Sequence, residues 1–272
     1  MNAPFSTNSQ SVIASKIEDS TIKAYHNSLL TKLDKLANYS LIITGTIGAG
    51  KSTLCESIHY ILSTQFPQLE ISTFPEFLFI DPEMAGNMLE LRLTKQITVG
   101  TFQSYILDNW EKALKIASPK PSFRIFERCV DDCVLCFANL ANKNNEMSDQ
   151  FLLTLYDRMK QIDQKYNIPT YIDFDNRELH FTEICSSDLN FNLRQILDII
   201  VSDLNNSVES RIIGLSVSSF DSEQRVKIRS RNGESAYDSE ILKTHNTHYQ
   251  KLFKLLNKGK KIQRFLDLGQ LF

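Results

Sequence analysis

"GTIGAGKSTLCESI", residues 45–58, directly follows the apolar run "SLIIT" and fits the phosphate-loop pattern G-x-x-x-x-G-K-[ST], with Gly45, Gly50, Lys51 and Ser52 in register. The order of patterns around it decides the fold. A short buried-strand run, "SLIITG", gives way to a glycine-rich turn, and helical periodicity then resumes through "KSTLCESIHYILSTQF". Backbone N–H groups from Gly45, Thr46, Ile47, Gly48, Ala49 and Gly50 through Thr53 are expected to wrap nucleotide phosphates. Lys51 would neutralise the β- and γ-oxygens, and the Ser52 hydroxyl would complete a magnesium shell. The alternative is a tight turn whose lysine is merely exposed.

Working outward, residues 21–37 place Ile22, Tyr25, Leu29, Leu33 and Leu36 at helical spacing, which predicts an amphipathic helix. "LEISTFPEF" (69–77), "SFRIFER" (122–128) and "SRIIGLSVSS" (210–219) read as further strands, with helical stretches between them, including 129–142 and 148–166. Strands alternating with helices predict an α/β fold of the P-loop type: a mainly parallel sheet of about five strands, flanked by helices. Ligands of such sheets gather at the carboxyl ends of the strands, where the loop, Glu76, and Glu127 with Arg128 all fall. Residues 170–184 alternate like a hairpin inserted at this point, turning at Asp175 and Asn176.

The chain has 272 residues, 42% of them hydrophobic, which suits one domain over 21–272 behind a loosely attached arm at 1–20. A net charge of -2 gives no global positive field for nucleic acid or an acidic membrane surface. No apolar run approaches the roughly 18 residues a membrane span needs, and the first 20 residues lack a signal core. Five cysteines without a secretory leader favour reduced thiols and a cytoplasmic protein. Cys133 and Cys136 have C-x-x-C spacing, but without a second pair or matching histidines they read as ordinary helix cysteines.

Three further features carry chemistry. Glu76, after the second strand, faces the phosphate loop in this topology; it is either a general base toward a hydroxyl or a solvent-facing strand end. Glu127 and Arg128 share the same crevice. They form either a structural pair or, beside a phosphate loop, a magnesium ligand with a cation for the transferring phosphoryl group. "EQRVKIRSRNGE" (223–234) puts Arg225, Lys227, Arg229 and Arg231 on or near one helix face and ends at Gly233, as an arginine-rich lid over a nucleotide would.

These elements in this order resemble the deoxynucleoside kinase family over about residues 40–255. The resemblance implies that Glu76 in "FPEF" is the base toward the deoxyribose 5′-hydroxyl and that Gln103 in "TFQSYIL" pairs with the nucleobase. "ERC" stands at the family's E-R-S or D-R-H motif, and the lid is similar to the herpesvirus form, R-x-x-x-R-x-R-x-G-E, with Arg225, Arg229, Arg231, Gly233 and Glu234 in place. By that likeness Glu234 would hold the sugar 3′-hydroxyl and the arginines would contact phosphates. Cys129 departs from the motif, and the tyrosine expected upstream of the glutamine has no clear counterpart in "LELRLTKQITVG". Cys133 stands where deoxycytidine enzymes carry an aspartate, which favours thymidine, although Asp131 or Asp132 could turn inward.

The expectation is therefore an ATP- and Mg²⁺-dependent kinase of a deoxynucleoside. Its catalytic residues would be Glu76, Lys51, Arg128 and Arg225, with Ser52 and Glu127 on the metal. Gln103, Cys133 and Glu234 would contact the acceptor. Homodimers are common in that family. A thymidylate kinase and a non-catalytic nucleotide switch are the rival readings.

Overall fold

The computed structural model describes residues 19–76, 81–116, 121–171, 178–185, 188–229, 237 and 239–258. It opens with α1 (Asp19–Leu30) and a one-turn helix at Leu33–Leu36. Lys32, at φ -130° and ψ 21°, leaves helical geometry and so divides the single helix predicted over 21–37. Then come β1 (Ser40–Gly45), α2 (Lys51–Gln65), β2 (Ile71–Phe74), α3 (Pro82–Leu93), α4 (Val99–Ile116) and β3 (Phe123–Glu127). α5 runs in three pieces, Val130–Asp132, Cys133–Ala138 and Asn139–Lys143, the middle one wound as a π-helix. The rest is α6 (Asp149–Tyr166), β4 (Phe181–Cys185), α7 (Leu189–Asn205), β5 (Ser210–Ser216), α8 (Ser219–Arg229) and α9 (Ser239–Leu256).

All strand pairs are parallel, in the order β2-β3-β1-β5-β4. β1 lies at the centre and is buried along its whole length, because "SLIITG" offers apolar side chains to both sheet faces. Strand alternation sends Leu41 and Ile43 into a core beneath α1, α2 and α7, and Ile42 into a second core with Phe126, α4, α6 and α9. Each of these aliphatic side chains is fully buried, which stabilises the fold by about 1.5–3 kcal/mol apiece. Gly45 ends β1 at φ +134°, where a Cβ would sit 2.1 Å from the Leu215 carbonyl oxygen, so any side chain would push β5 away.

Residues 170–184 differ from the hairpin expectation. Phe181–Cys185 is the fifth strand, an edge strand running parallel to β5 with Phe181 opposite Ile212 and Cys185 opposite Ser216. Apolar and polar residues alternate in any half-exposed strand, so the alternation marked exposure, not connectivity. The expected turn at Asp175 and Asn176 lies outside the described residues. Among the described residues no helix is long and apolar enough to cross a membrane.

α5 is anchored by two buried carboxylates. Asp132 accepts from the Thr44 hydroxyl at 2.7 Å, the Cys129 N–H at 3.0 Å and the Tyr171 hydroxyl at 3.2 Å. Asp131 accepts from the Thr170 hydroxyl and the Tyr171 N–H. Burial raises the Asp131 carboxyl to about 7, against the two hydrogen bonds that favour its charge, with Asp163 and Asp132 adding to the rise. Between about pH 4 and 7 the folded state therefore binds the proton that the unfolded chain has lost, and stability falls as pH rises through that window. Asp131→Asn removes the buried charge. It is expected to raise stability by about 1–3 kcal/mol at pH 8, with the gain fading toward pH 4, as read by urea unfolding at both pH values. A gain independent of pH would show that the charge is not its source.

Candidate active site

Three strand ends and the start of α2 build the phosphate-loop side of the site. The loop after β1 turns through Gly48 at φ +75° and Gly50 at φ +88°, and Gly50 stands at the N-cap of α2 without a side-chain cap. The first turn of α2, Lys51-Ser52-Thr53, carries no carboxylate, so no acidic side chain of its own offsets the positive helix end, which suits an anion. Lys51 is buried, and its Nζ donates to the Thr46 carbonyl oxygen at 2.8 Å. Burial, with Arg128 adding repulsion, lowers the Lys51 ammonium to about 7. Phosphate oxygens beside it would restore its charge.

Glu127 closes β3 and accepts from the Ser52 hydroxyl at 2.6 Å. Burial raises the Glu127 carboxyl, and the Glu76 charge adds to the rise. A hydroxyl and a carboxylate in contact make an incomplete oxygen donor set. That fits Mg²⁺, which keeps several waters and takes its remaining ligands from nucleotide phosphates. No group of three or more metal-ligating side chains occurs among the described residues, so Ser52 and Glu127 would serve the ion only together with a bound nucleotide.

Arg128 follows at φ +74°, a backbone conformation that L side chains rarely adopt, and it is over-determined by its contacts. Its Nε donates to Glu76 Oε1 at 2.8 Å, and its Nη1 donates to the Gly45 carbonyl oxygen at 2.9 Å and to the Tyr249 hydroxyl. The rings of Phe137 and Tyr249 lie 5.4 and 5.8 Å from the guanidinium carbon. Burial opposes its charge, yet Tyr249, Glu76 and Asp132 around it hold the guanidinium firmly protonated. Glu76, two residues beyond β2, is thus tied to the end of β3 by an ion pair rather than pointing freely into solvent.

One cavity of about 540 Å³ joins these groups. Lys51, Glu76, Glu127 and Arg128 line it at the loop, and Gln103, Cys133 and Asp132 line it from α4 and α5. Gln103 is 2% exposed, and its Oε1 has no hydrogen-bond partner among the described residues. Cys133 lies on the π-helical stretch, buried, and burial pushes its thiol well up, so it presents a small, nearly apolar surface.

The basic helix α8 sits on the phosphate loop. The Ser222 hydroxyl donates to the Ile47 carbonyl oxygen at 2.6 Å, and Arg225 Nη1 donates to that of Gly48 at 3.3 Å. A Cβ at Gly48 would come within 2.8 Å of the Ser222 carbonyl oxygen, so the close approach depends on that glycine. Arg229, one turn after Arg225, lines the cavity. Lys227 does not share this face: at 100° per residue it lies across the helix, where it is exposed and pairs with Glu223 at 2.6 Å. Arg231, Gly233 and Glu234 lie outside the described residues.

The sequence reading missed part of the wall. Arg92, in the segment where a tyrosine was expected, lines the cavity and pairs with Glu146 at 2.6 Å, and Phe137 and His245 also line it. No local pattern marks these residues, because they are single side chains on amphipathic helices whose inward face is set by packing.

No protein-family model matches the chain, and no curated protein matches it. Solved structures do. One, of deoxyadenosine kinase from M. mycoides with bound dATP, is 20% identical, with a TM-score of 0.50 over 82% of this chain and 88% of that one. A second structure of the M. mycoides enzyme, with bound dCTP, is 20% identical over 85% and 94% of the two chains, with a TM-score of 0.49. The sheet, the loop after β1 and the helices that cover them thus have the fold of the first of these structures, and the chain is a P-loop α/β protein.

Proposed function

We propose that this chain transfers the γ-phosphoryl group of ATP to the 5′-hydroxyl of a deoxynucleoside, with thymidine as the preferred acceptor. One observation carries the reading: a buried glutamine amide oxygen, Gln103 Oε1, without a partner among the described residues, shares a cavity with Lys51 and the Glu76–Arg128 pair. A nucleobase edge that both donates and accepts satisfies that amide, and the far end of the same molecule then reaches the phosphate loop. The fold likeness to a deoxyadenosine kinase agrees with the class.

In this reading the first turn of α2 and Lys51 hold the ATP phosphates, and Arg229 closes over them from α8. Arg225 keeps that helix seated on Gly48. Glu76, oriented by Arg128, accepts the proton of the 5′-hydroxyl as that oxygen bonds to the γ-phosphorus, and the bond to the β,γ-bridging oxygen breaks to release ADP. Ser52 and Glu127 would hold Mg²⁺ together with the nucleotide, and the ion would supply charge neutralisation there. Little covalent chemistry falls to the protein, so positioning and electrostatics provide the rate.

The preference for thymidine rests on what faces the base. Asp131 is turned into the fold by Thr170 and Tyr171, and Asp132, although on the cavity wall, already accepts from Thr44, Cys129 and Tyr171, which leaves it a poor partner for an exocyclic amino group. Cys133 leaves room for a methyl. The test is phosphorylation of the four natural deoxynucleosides and thymidylate by purified protein with Mg-ATP. Thymidine as the best acceptor is the expected result. A better rate with deoxyadenosine would overturn the specificity alone, and thymidylate as the sole acceptor would move the reading to a monophosphate kinase. ATP binding without turnover of any acceptor would leave only a nucleotide switch.

A further inference from the structure

Two buried polar atoms without a partner among the described residues belong to side chains on the cavity wall: Gln103 Oε1 and His245 Nδ1. Other charged groups of the wall are already paired, Glu76 with Arg128, Glu127 with Ser52, and Arg92 with Glu146. A buried acceptor or donor left unpaired is destabilising, so such an atom in the wall of a ligand cavity marks a contact that the ligand completes.

His245 lies on α9, one turn before Tyr249, the residue that receives a hydrogen bond from Arg128. Its ring is tilted 49° against that of Phe137, with centroids 5.0 Å apart. Burial pushes the imidazole down to about 4, and the positive charges of Arg128 and Arg92 add to that, so the ring is neutral at physiological pH. A neutral imidazole offers one N–H donor and one lone-pair acceptor, the complement of a hydroxyl.

We infer that His245 is a second recognition residue for the acceptor, exchanging a hydrogen bond with the deoxyribose 3′-hydroxyl. The inference rests on the deoxynucleoside reading of the cavity. There Gln103 marks the base and Glu76 with Arg128 marks the 5′-oxygen, so the sugar lies between them. His245 lines the same cavity and packs on Phe137, whose ring lies 5.4 Å from the Arg128 guanidinium carbon, which sets it beside that sugar, and the 3′-hydroxyl is the one sugar hydroxyl of a 2′-deoxynucleoside that takes no phosphoryl group. The family resemblance gives the 3′-hydroxyl to Glu234, which lies outside the described residues, and does not point to His245, which would be a second contact to that hydroxyl from an amphipathic helix.

The experiment is calorimetric binding, without turnover, of thymidine and 2′-deoxyadenosine, each beside its 3′-deoxy counterpart, to the wild-type chain and to His245→Phe and His245→Leu. The wild type is expected to bind at least one 3′-hydroxyl ligand about tenfold more tightly than its 3′-deoxy counterpart, one ordinary hydrogen bond. Both variants should bind the 3′-deoxy ligand as the wild type does and lose the preference. Either variant suffices if the other does not fold. A preference that both substitutions leave undiminished, or that is missing in the wild type, overturns the role of His245 and leaves the kinase reading standing. A wild-type chain that binds ATP but none of the four nucleosides overturns the kinase reading, and the inference with it.

Discussion

Glu76→Gln is expected to lower kcat for thymidine about 10²–10⁴-fold while ATP affinity stays within about twofold, the span attributed to a positioned general base. The substitution is nearly isosteric, and its amide oxygen can still accept from Arg128 Nε, which sits 2.8 Å from the carboxylate in the wild type. What it loses is the capacity to take a proton as the 5′-oxygen attacks. Single-turnover rates with saturating Mg-ATP, beside a separate nucleotide-binding titration, distinguish that loss from misfolding. Equal turnover in the two proteins would remove Glu76 from the base role and leave the ion pair as structural. A parallel fall in ATP affinity would point to a disturbed loop, since Arg128 also donates to the Gly45 carbonyl oxygen.

Arg128→Lys keeps the charge and removes the fork, and it is expected to lower kcat about 10²–10³-fold, comparable to removing one preorganised donor from a dry site. The guanidinium reaches Glu76, Gly45 and Tyr249 at once and lies against two aromatic rings. An ammonium is a point charge that cannot span those directions. Because lysine meets the same backbone strain at φ +74° as arginine does, the substitution isolates the side chain. Stability should fall by about 1–2 kcal/mol through the lost hydrogen bonds, measured by urea unfolding. Full activity with reduced stability would show that the pair serves the fold alone.

How far the chain could be read from its residues differs by element. β1, the loop and α2 were legible because three local signals agree: an apolar run of strand length, glycines where the backbone needs positive φ, and 3.6-residue periodicity after Lys51. β4 was misread because alternation reports half-burial in any edge strand, whatever it pairs with. The face of α8 was overdrawn for a different reason: counting arginines and lysines ignores that every second residue points about 200° away, which sends Lys227 to solvent and Arg229 to the cavity.

The sequence by itself determined the α/β order, the phosphate loop and its lysine and serine, and the carboxylate and arginine positions at strand ends, because each depends on chain-local geometry that a few neighbouring residues impose. The tertiary structure alone decided that Glu76 meets Arg128 across 52 residues, that Asp131 and Asp132 are spent within the fold, and that Gln103 and His245 from separate helices share one cavity. Those pairings arise when helices on one sheet face close over β1 and exclude water. No local propensity encodes which distant side chains then become neighbours, or which of their polar atoms are left for a ligand.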